Sequence, residues 1–224
     1  MSQNQPTQQQ AEQVANTVSG LEAFFKKNSK TIEWVIIGIL AVICIGLAIN
    51  RWYLVPAKAE AKAQMYSAEA LFREGNFETA LSGDGNILGF AQVAEQYGSK
   101  AGKIVYFYEG ICNLQLGNNE EAIVCLKKYS TGDKVMKARA ICAIGDAESN
   151  LGNLEKALSQ YKKAAAVDDN ILAAGYLLKA GIVAEKLGKK QEALDLYQTV
   201  KDKYPQTMEG YSVDKYISRI NTAE

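Results

Sequence analysis

The sequence contains no histidine, which removes the side chain that most often serves as general base, nucleophile partner or transition-metal ligand near neutral pH. Net charge is also missing, because 25 lysines and arginines match 25 aspartates and glutamates. A balanced chain offers no electrostatic lure to nucleic acid, whose binding rests on surplus basic charge. Cysteine is scarce: the four present form no Cys-x-x-Cys pair, so the usual marks of a zinc site or dithiol redox centre are absent. Cys44 falls in an apolar run. Cys112, Cys125 and Cys142 read as small buried hydrophobes on helices, with one pair free to bridge in an oxidising compartment. Only three prolines interrupt 224 residues, leaving long stretches open to helix. We expect no catalytic residue, no metal and no cofactor. The unpaired carboxylates Asp146 and Glu185 are the sole residue of an enzyme reading, and they are more simply solvated or capping groups.

What is present begins with an apolar run, IEWVIIGILAVICIGLAI from Ile32 to Ile49, whose one charge, Glu33, lies at its edge. Eighteen helical residues at about 1.5 Å each reach about 27 Å, close to a bilayer core. Eleven of the side chains are Val, Leu or Ile. At roughly −0.5 kcal/mol each they favour insertion by about 5.5 kcal/mol, enough to outweigh an edge carboxylate that reaches water. Trp34 at one end, with Trp52 and Tyr53 at the other, fits two interfacial belts, and Arg51 can snorkel. A transmembrane helix over 32–55 follows. A cleaved signal peptide, with small residues at Ala57 and Ala59, is the competing reading; the long polar stretch ahead of the run and the run's length favour a retained anchor. Lys26, Lys27 and Lys30 on one flank balance Arg51, Lys58 and Lys62 on the other. The lysines of the short tail weigh more, because long domains translocate largely regardless of charge, and so the N-terminus is expected in the cytoplasm.

Residues 1–20, rich in Gln and Asn, are too polar to bury a core and read as a disordered tail. Over 21–31, Leu21, Phe24 and Phe25 stand at i, i+3 and i+4 ahead of Lys26 and Lys27. They form a short amphipathic juxtamembrane segment, or simply extend the anchor helix. Pro56 suits the first turn of a new helix and marks the anchor's end.

Beyond it one phrase recurs: EGNFETAL from Glu74, LGNNEEAI from Leu116, LGNLEKAL from Leu151 and LGKKQEAL from Leu187. The steps between Gly117, Gly152 and Gly188 are 35 and 36 residues, and this period resembles the thirty-four-residue tetratricopeptide repeat. The expected fold is all-α: a single transmembrane helix followed by a tetratricopeptide-repeat α-solenoid with a C-terminal capping helix. Residues 56–102 form a first repeat, broken by the glycine-rich insertion LSGDGNILG, which displaces its second helix to about Phe90 to Tyr97. Asp84, Asn86, Gly89 and Glu95 in and after that insertion mimic calcium-loop places, but Leu88 stands where a ligand oxygen is needed, so calcium is not expected. Residues 103–207 hold three regular repeats. In each, an interior glycine (Gly110, Gly145, Gly181) permits close approach of the outer helix through Ala122, Ala157 or Ala193, and Tyr161 and Tyr197 fill the gap between repeats. Residues 208–224 form the capping helix, needed because the last apolar face of a solenoid is otherwise bare.

In such a fold the inner helices line a concave groove. The second repeat offers Ile104, Phe107, Ile111 and Leu114. The third offers Arg139, Cys142, Asp146 and Ser149, and the fourth Gly175, Leu178, Ile182 and Glu185. The candidate protein-binding residues are therefore Ile104, Phe107, Ile111, Leu114, Cys142, Leu178 and Ile182, suited to an amphipathic or unfolded apolar segment. Equally open is that the terminal helix or the insertion folds back and buries them. Phe107, Ile111 and Cys142 stand where a carboxylate-clamping subclass of the fold carries polar groups, so that clamp is absent. Small-molecule substrates and nucleic acids are not expected partners.

The segment LEAFFKKNSKTIEWVIIGILAVICIGLAINRWY, then an alanine-rich helix, a broken first repeat and regular repeats, resembles the YfgM-like ancillary subunits of the SecYEG translocon. The resemblance implies a cytoplasmic tail, one inner-membrane helix and a periplasmic repeat domain. It also implies partners in the Sec translocon, a membrane-anchored periplasmic chaperone and exported chains. A structural scaffold of another cell-envelope assembly, and an organelle import receptor, are the competing functions.

Overall fold

The computed structural model describes residues 8–222, apart from the side chains of 8–18, 20–24 and 99. Among the described residues there are twelve α-helices and no strand. The chain divides into two compact units, Met1–Pro56 and Ala57–Glu224.

The first unit is dominated by α1 (Gln8–Ile49), in which Asn28 leaves helical geometry at φ −111°, ψ 15°. Helical backbone thus starts at Gln8, inside the stretch expected to be a disordered tail; the first seven residues of that tail lie outside the described ones. So do the side chains of Leu21 and Phe24, two thirds of the expected amphipathic stripe, while Phe25 is exposed. From Ile32 to Ile49 no side chain is buried. The helix is long and apolar enough to cross a membrane, and nothing in its own unit covers its apolar surface. It gives way to one wider π-helical turn, Asn50–Leu54, which carries Arg51, Trp52 and Tyr53. Trp34 and Trp52 are 74% and 81% exposed, as side chains must be if lipid or headgroups rather than protein surround them.

The second unit is a stack of helix pairs built on a shared turn. It comprises most of α2 (Val55–Arg73), then α3 (Phe77–Ser82), α4 (Phe90–Tyr97), α5 (Ile104–Gln115) and α6 (Asn119–Lys128). There follow α7 (Lys134–Asn150), α8 (Leu154–Ala165), α9 (Leu172–Lys186), α10 (Lys190–Lys203), α11 (Met208–Ser212) and α12 (Asp214–Thr222). The recurring phrase is the turn inside each pair. Gly117 takes φ +84°, a conformation open to glycine at little cost. Its N–H reaches the carbonyl of Leu114 at 3.2 Å, while that of Asn118 reaches Asn113 at 2.9 Å. These are the two bonds of a Schellman motif, which satisfies carbonyls orphaned at a helix end. The same pair recurs after α2, α7 and α9. The asparagine of the phrase adds a side-chain tie: Asn153 Nδ2 donates to Glu148 at 2.8 Å and Asn118 Nδ2 to Asn113 at 3.2 Å. That explains why Asn113 and Glu148 are polar yet buried.

Each of the three regular pairs crosses at an interior glycine. A methyl group built on Gly145 would stand 2.8 Å from the Tyr161 ring, and on Gly181 2.3 Å from Tyr197; on Gly110 it would meet Leu126 at 2.6 Å. The glycines are therefore cradles for the large side chain four residues beyond the expected alanine. Tyr161 and Tyr197 fill a gap within their own repeat. Ala122, Ala157 and Ala193, all fully buried, keep the helices close enough for this.

The first repeat has its outer helix in two pieces. α3 starts the phrase, the glycine-rich loop interrupts it, and α4 resumes where the displaced helix was expected. Asp84 Oδ1 accepts from the N–H groups of Asn86 and Ile87 at 2.9 and 2.8 Å, so its carboxylate organises the loop's own turn and is held below its ordinary pKa by those bonds. Phe72, Phe77, Phe90 and Tyr108 form an edge-to-face and stacked aromatic core beneath it. At the other end the single capping helix expected over 208–224 is two helices, because the chain bends at Ser212 and Val213 to bury Val213 completely. Lys162–Glu192 and Lys189–Glu155, both at 2.7 Å, tie α8 to α10 and its preceding turn. Exposed pairs of this kind contribute only about 0–1 kcal/mol each.

Candidate partner-binding groove

α5, α7 and α9 side by side present one concave face, and an open groove of about 1050 Å³ runs along it. One wall is apolar. Phe107, Ile111 and Leu114 recur along α5 at helical spacing, with Phe72 of α2 beside them. The floor is α7, whose Arg139, Cys142, Ala143 and Asp146 fall on one face. The far wall combines Leu172, Gly175, Tyr176 and Lys179 of α9 with the α10–α11 connection, 204–207, and Met208 and Glu209 of α11.

Of the seven residues expected to form the site, Phe107, Ile111, Leu114 and Cys142 line this groove. Ile104 instead packs between the first core and the second repeat. Leu178 and Ile182 pack on the C-terminal core with Tyr216 and Ile217, so the capping segment covers that end, as the competing expectation of a fold-back had it. Glu185, at the same end, accepts two hydrogen bonds from Arg219, at 2.9 and 2.7 Å. Phe107 itself is only 9% exposed and touches Tyr108 and Tyr129; it supports the wall more than it presents it.

The connection after α10 was not among the expected groove residues. It is a built lip. Thr207 Oγ1 donates to the carbonyl of Tyr204 at 2.8 Å and accepts the Gly210 N–H at 3.0 Å, capping α11. The Tyr204 hydroxyl donates to Asp169 in the turn before α9, a bond that, with some burial, raises the phenol to about 12. Ile171 and Met208, 72% and 85% exposed, crown the two sides so joined. Pro205 after the last repeat marks a helix stop in sequence, but no period reveals that the chain then turns back over the groove.

The groove's centre is a closed polar cluster. Lys179 Nζ donates to both oxygens of Asp146, at 2.7 and 2.8 Å, and Tyr161 Oη donates to Oδ1 at 2.7 Å. Burial lowers the Lys179 ammonium's pKa, and the hydrogen bonds to Asp146 bring it back above its ordinary value. Burial, then the bond to Asp146, raises Tyr161. Cys142 lies 3.8 Å from Lys179 Nζ; burial first, and Asp146 next, push its thiol up to about 11. A thiol so raised is neutral and unreactive near pH 7. This constellation holds charge and orients side chains; it is not an activated nucleophile. Cys112 and Cys125 are likewise buried and unpaired, both raised to about 12 by burial and the nearby Glu109.

A tetratricopeptide repeat family model matches residues 142–206. No curated protein matches the sequence. By fold, the chain is similar to a crystal structure of MamA protein, with a TM-score of 0.57 and 18% identity over 72% of this chain and 82% of that one. A second MamA structure is similar with a TM-score of 0.53 and 18% identity, over 70% of this chain and 88% of that one. The protein is therefore all-α, an N-terminal helix long and apolar enough to cross a membrane followed by a tetratricopeptide-type solenoid.

Proposed function

We propose that this chain is a non-enzymatic, membrane-anchored interaction protein of the inner membrane, its N-terminus cytoplasmic and its repeat domain periplasmic. In this role it associates with the Sec translocon and a periplasmic chaperone and assists exported proteins. The observation that carries the interaction role is the open groove, whose wall of Ile111 and Leu114 stays available although the capping segment covers the groove's end. A groove of about 1050 Å³ stands at the upper end of the ~300–1,000 Å³ usual for small-molecule pockets, and, open along its length with one apolar wall, it suits a length of polypeptide. The anchor reading is supported by a helix bare of protein contacts over its apolar stretch and by aromatic residues Trp34, Trp52 and Tyr53 near its ends. The translocon and chaperone partners rest on the likeness of residues 21–53, and of the layout after them, to the YfgM-like subunits.

Proximity labelling from a tag on the repeat domain in intact cells tests the proposal. Labelled translocon subunits, a periplasmic chaperone and exported chains are the expected result. Labelling of one unrelated envelope assembly would replace it with the scaffold role. Digestion of the repeat domain by protease added only from the cytoplasmic side would overturn the orientation.

A further inference from the structure

The groove's charges are unequally satisfied. Asp146 is fully engaged by Lys179 and Tyr161. Arg139, two turns earlier on α7 and exposed, makes no hydrogen bond or ion pair among the described residues, and its charge is felt only at the Tyr176 hydroxyl. Lys203, at the end of α10, is exposed and equally unpaired among them. Against these two cations stands one unpaired carboxylate, Glu209, which lies over Gly175 on the far wall. An occupant therefore meets an apolar wall on α5 and, on the next inner helix, a surplus cation without a counter-ion.

We infer that the groove selects an extended peptide segment carrying an apolar side chain against Ile111 and Leu114 and a carboxylate four residues further on against Arg139. This rests on the groove being the partner site. The spacing follows from the fold: Arg139 stands in register with Ile104, two turns or about 10.5 Å along the helix from the level of Ile111, and neighbouring packed helices lie about 8–10 Å apart. The diagonal is about 14 Å, which an extended chain advancing about 3.3 Å per residue covers in four residues, with both side chains on one face. A basic residue in that place is disfavoured, because it would face the Arg139 cation while Asp146 is already engaged by Lys179 and Tyr161. The recognition differs from capture of a chain terminus, since the wall is apolar where a terminal carboxylate would need donors.

The test uses the full chain in detergent micelles and two fluorescent peptides with blocked ends, acetyl-Ser-Val-Leu-Ser-Ala-Glu-Leu-Ser-amide and the same peptide with Lys in place of Glu. Anisotropy titration is expected to show the Glu peptide binding about fivefold tighter, the size of a well-placed but partly solvated ion pair. Arg139→Gln is expected to erase that ratio and Arg139→Glu to invert it. Because Arg139 is exposed, both variants keep the fold, and far-UV circular dichroism verifies this. Equal affinities, or a preference that survives Arg139→Gln, overturn the inference while leaving the groove as the site, provided Ile111→Gln weakens both peptides. Binding that ignores Ile111→Gln, or no binding of either peptide, overturns the groove reading and the inference with it.

Discussion

Gly175 and Gly181 lie six residues apart on α9, and replacing each with alanine is expected to move stability in opposite directions. Helix propensity alone favours both changes by about 1 kcal/mol. At Gly175 the added methyl meets only the Glu209 carboxylate, at 3.4 Å, the far end of a flexible side chain, so the gain should survive nearly whole. At Gly181 it would stand 2.3, 2.7 and 2.9 Å from three atoms of the Tyr197 ring. That ring is fully buried and its hydroxyl donates to Glu185 at 3.0 Å. Overpacking of this kind costs about 1–3 kcal/mol, and displacing a hydrogen bond to a charged acceptor about 1.5–3. Set against the propensity gain, Gly181→Ala should destabilise by about 3 kcal/mol. For a repeat unit of this size, 1 kcal/mol corresponds to roughly 2–4 °C in Tm. Thermal unfolding of the full chain in detergent, followed by circular dichroism, should show Gly175→Ala rising by about 2–4 °C and Gly181→Ala falling by about 6–12 °C. Shifts of the same sign would refute the claim that the interior glycine is kept for the tyrosine.

The cap should titrate. Arg219 donates to Glu185, and this, with Tyr197, holds the Glu185 carboxyl below its ordinary value of 4.5 against the opposing effect of burial. A depressed folded-state pKa contributes stability that is complete above the ordinary value and lost as pH falls through the folded one. Tm should therefore drop on acidification below about 4.5, and Arg219→Gln should flatten that part of the Tm–pH curve; an unchanged slope would remove the clamp from the account. Asp133 caps α7 by accepting the Met136 N–H at 3.0 Å, so Asp133→Ala should cost about 1 kcal/mol, measurable as a urea midpoint shift at unchanged m-value. With Cys142 raised to about 11, its thiolate fraction at pH 7 is about 10⁻⁴. Peptide-mapped alkylation of the native protein should leave Cys142 unmodified at pH 7 and label it after unfolding in urea; prompt native labelling would contradict its burial.

The parts of this fold that could be read in the sequence are those with a period. The phrase around Gly117, Gly152 and Gly188 repeats because each copy must make the same two turn bonds with a left-handed glycine, and the interior glycines repeat because each must clear a side chain of the outer helix. Which side chain it clears was less legible. Ala157 and Tyr161 sit one turn apart on one helix face, and spacing alone does not rank two residues on the same face. The groove shows the same limit. Ile111, Leu114 and Cys142 followed from inner-helix register, but Leu178 and Ile182 obey that register equally well and are covered. What covers them is the bend at Val213 and the contacts of Tyr216 and Ile217, tertiary choices made outside any repeat. The lip from Tyr204 to Met208 left no periodic trace for the same reason.

That lip joins the solenoid's closure to its binding face. The segment leaving α10 has to turn in order to lay α12 over the last apolar face, and Gly210 lets it do so tightly: a methyl group there would stand 2.1 Å from the Tyr204 carbonyl oxygen. The turn brings Tyr204 onto Asp169, which fixes the α8–α9 connection carrying Ile171, and sets Met208 on the far wall of the groove. The exposed apolar pair Ile171 and Met208 is therefore held by hydrogen bonds that belong to the cap, so the mouth is as rigid as the cap is stable. A partner that fills the groove touches both the regular inner helices and this closing turn. By linkage, binding that requires the turn in place stabilises the cap, and a destabilised cap weakens binding by the same free energy. The solenoid's end is in this sense part of its site, which is why four repeating turns that carry no chemistry of their own can still yield one face with a direction: apolar at α5, charged at α7, and lipped beyond α9.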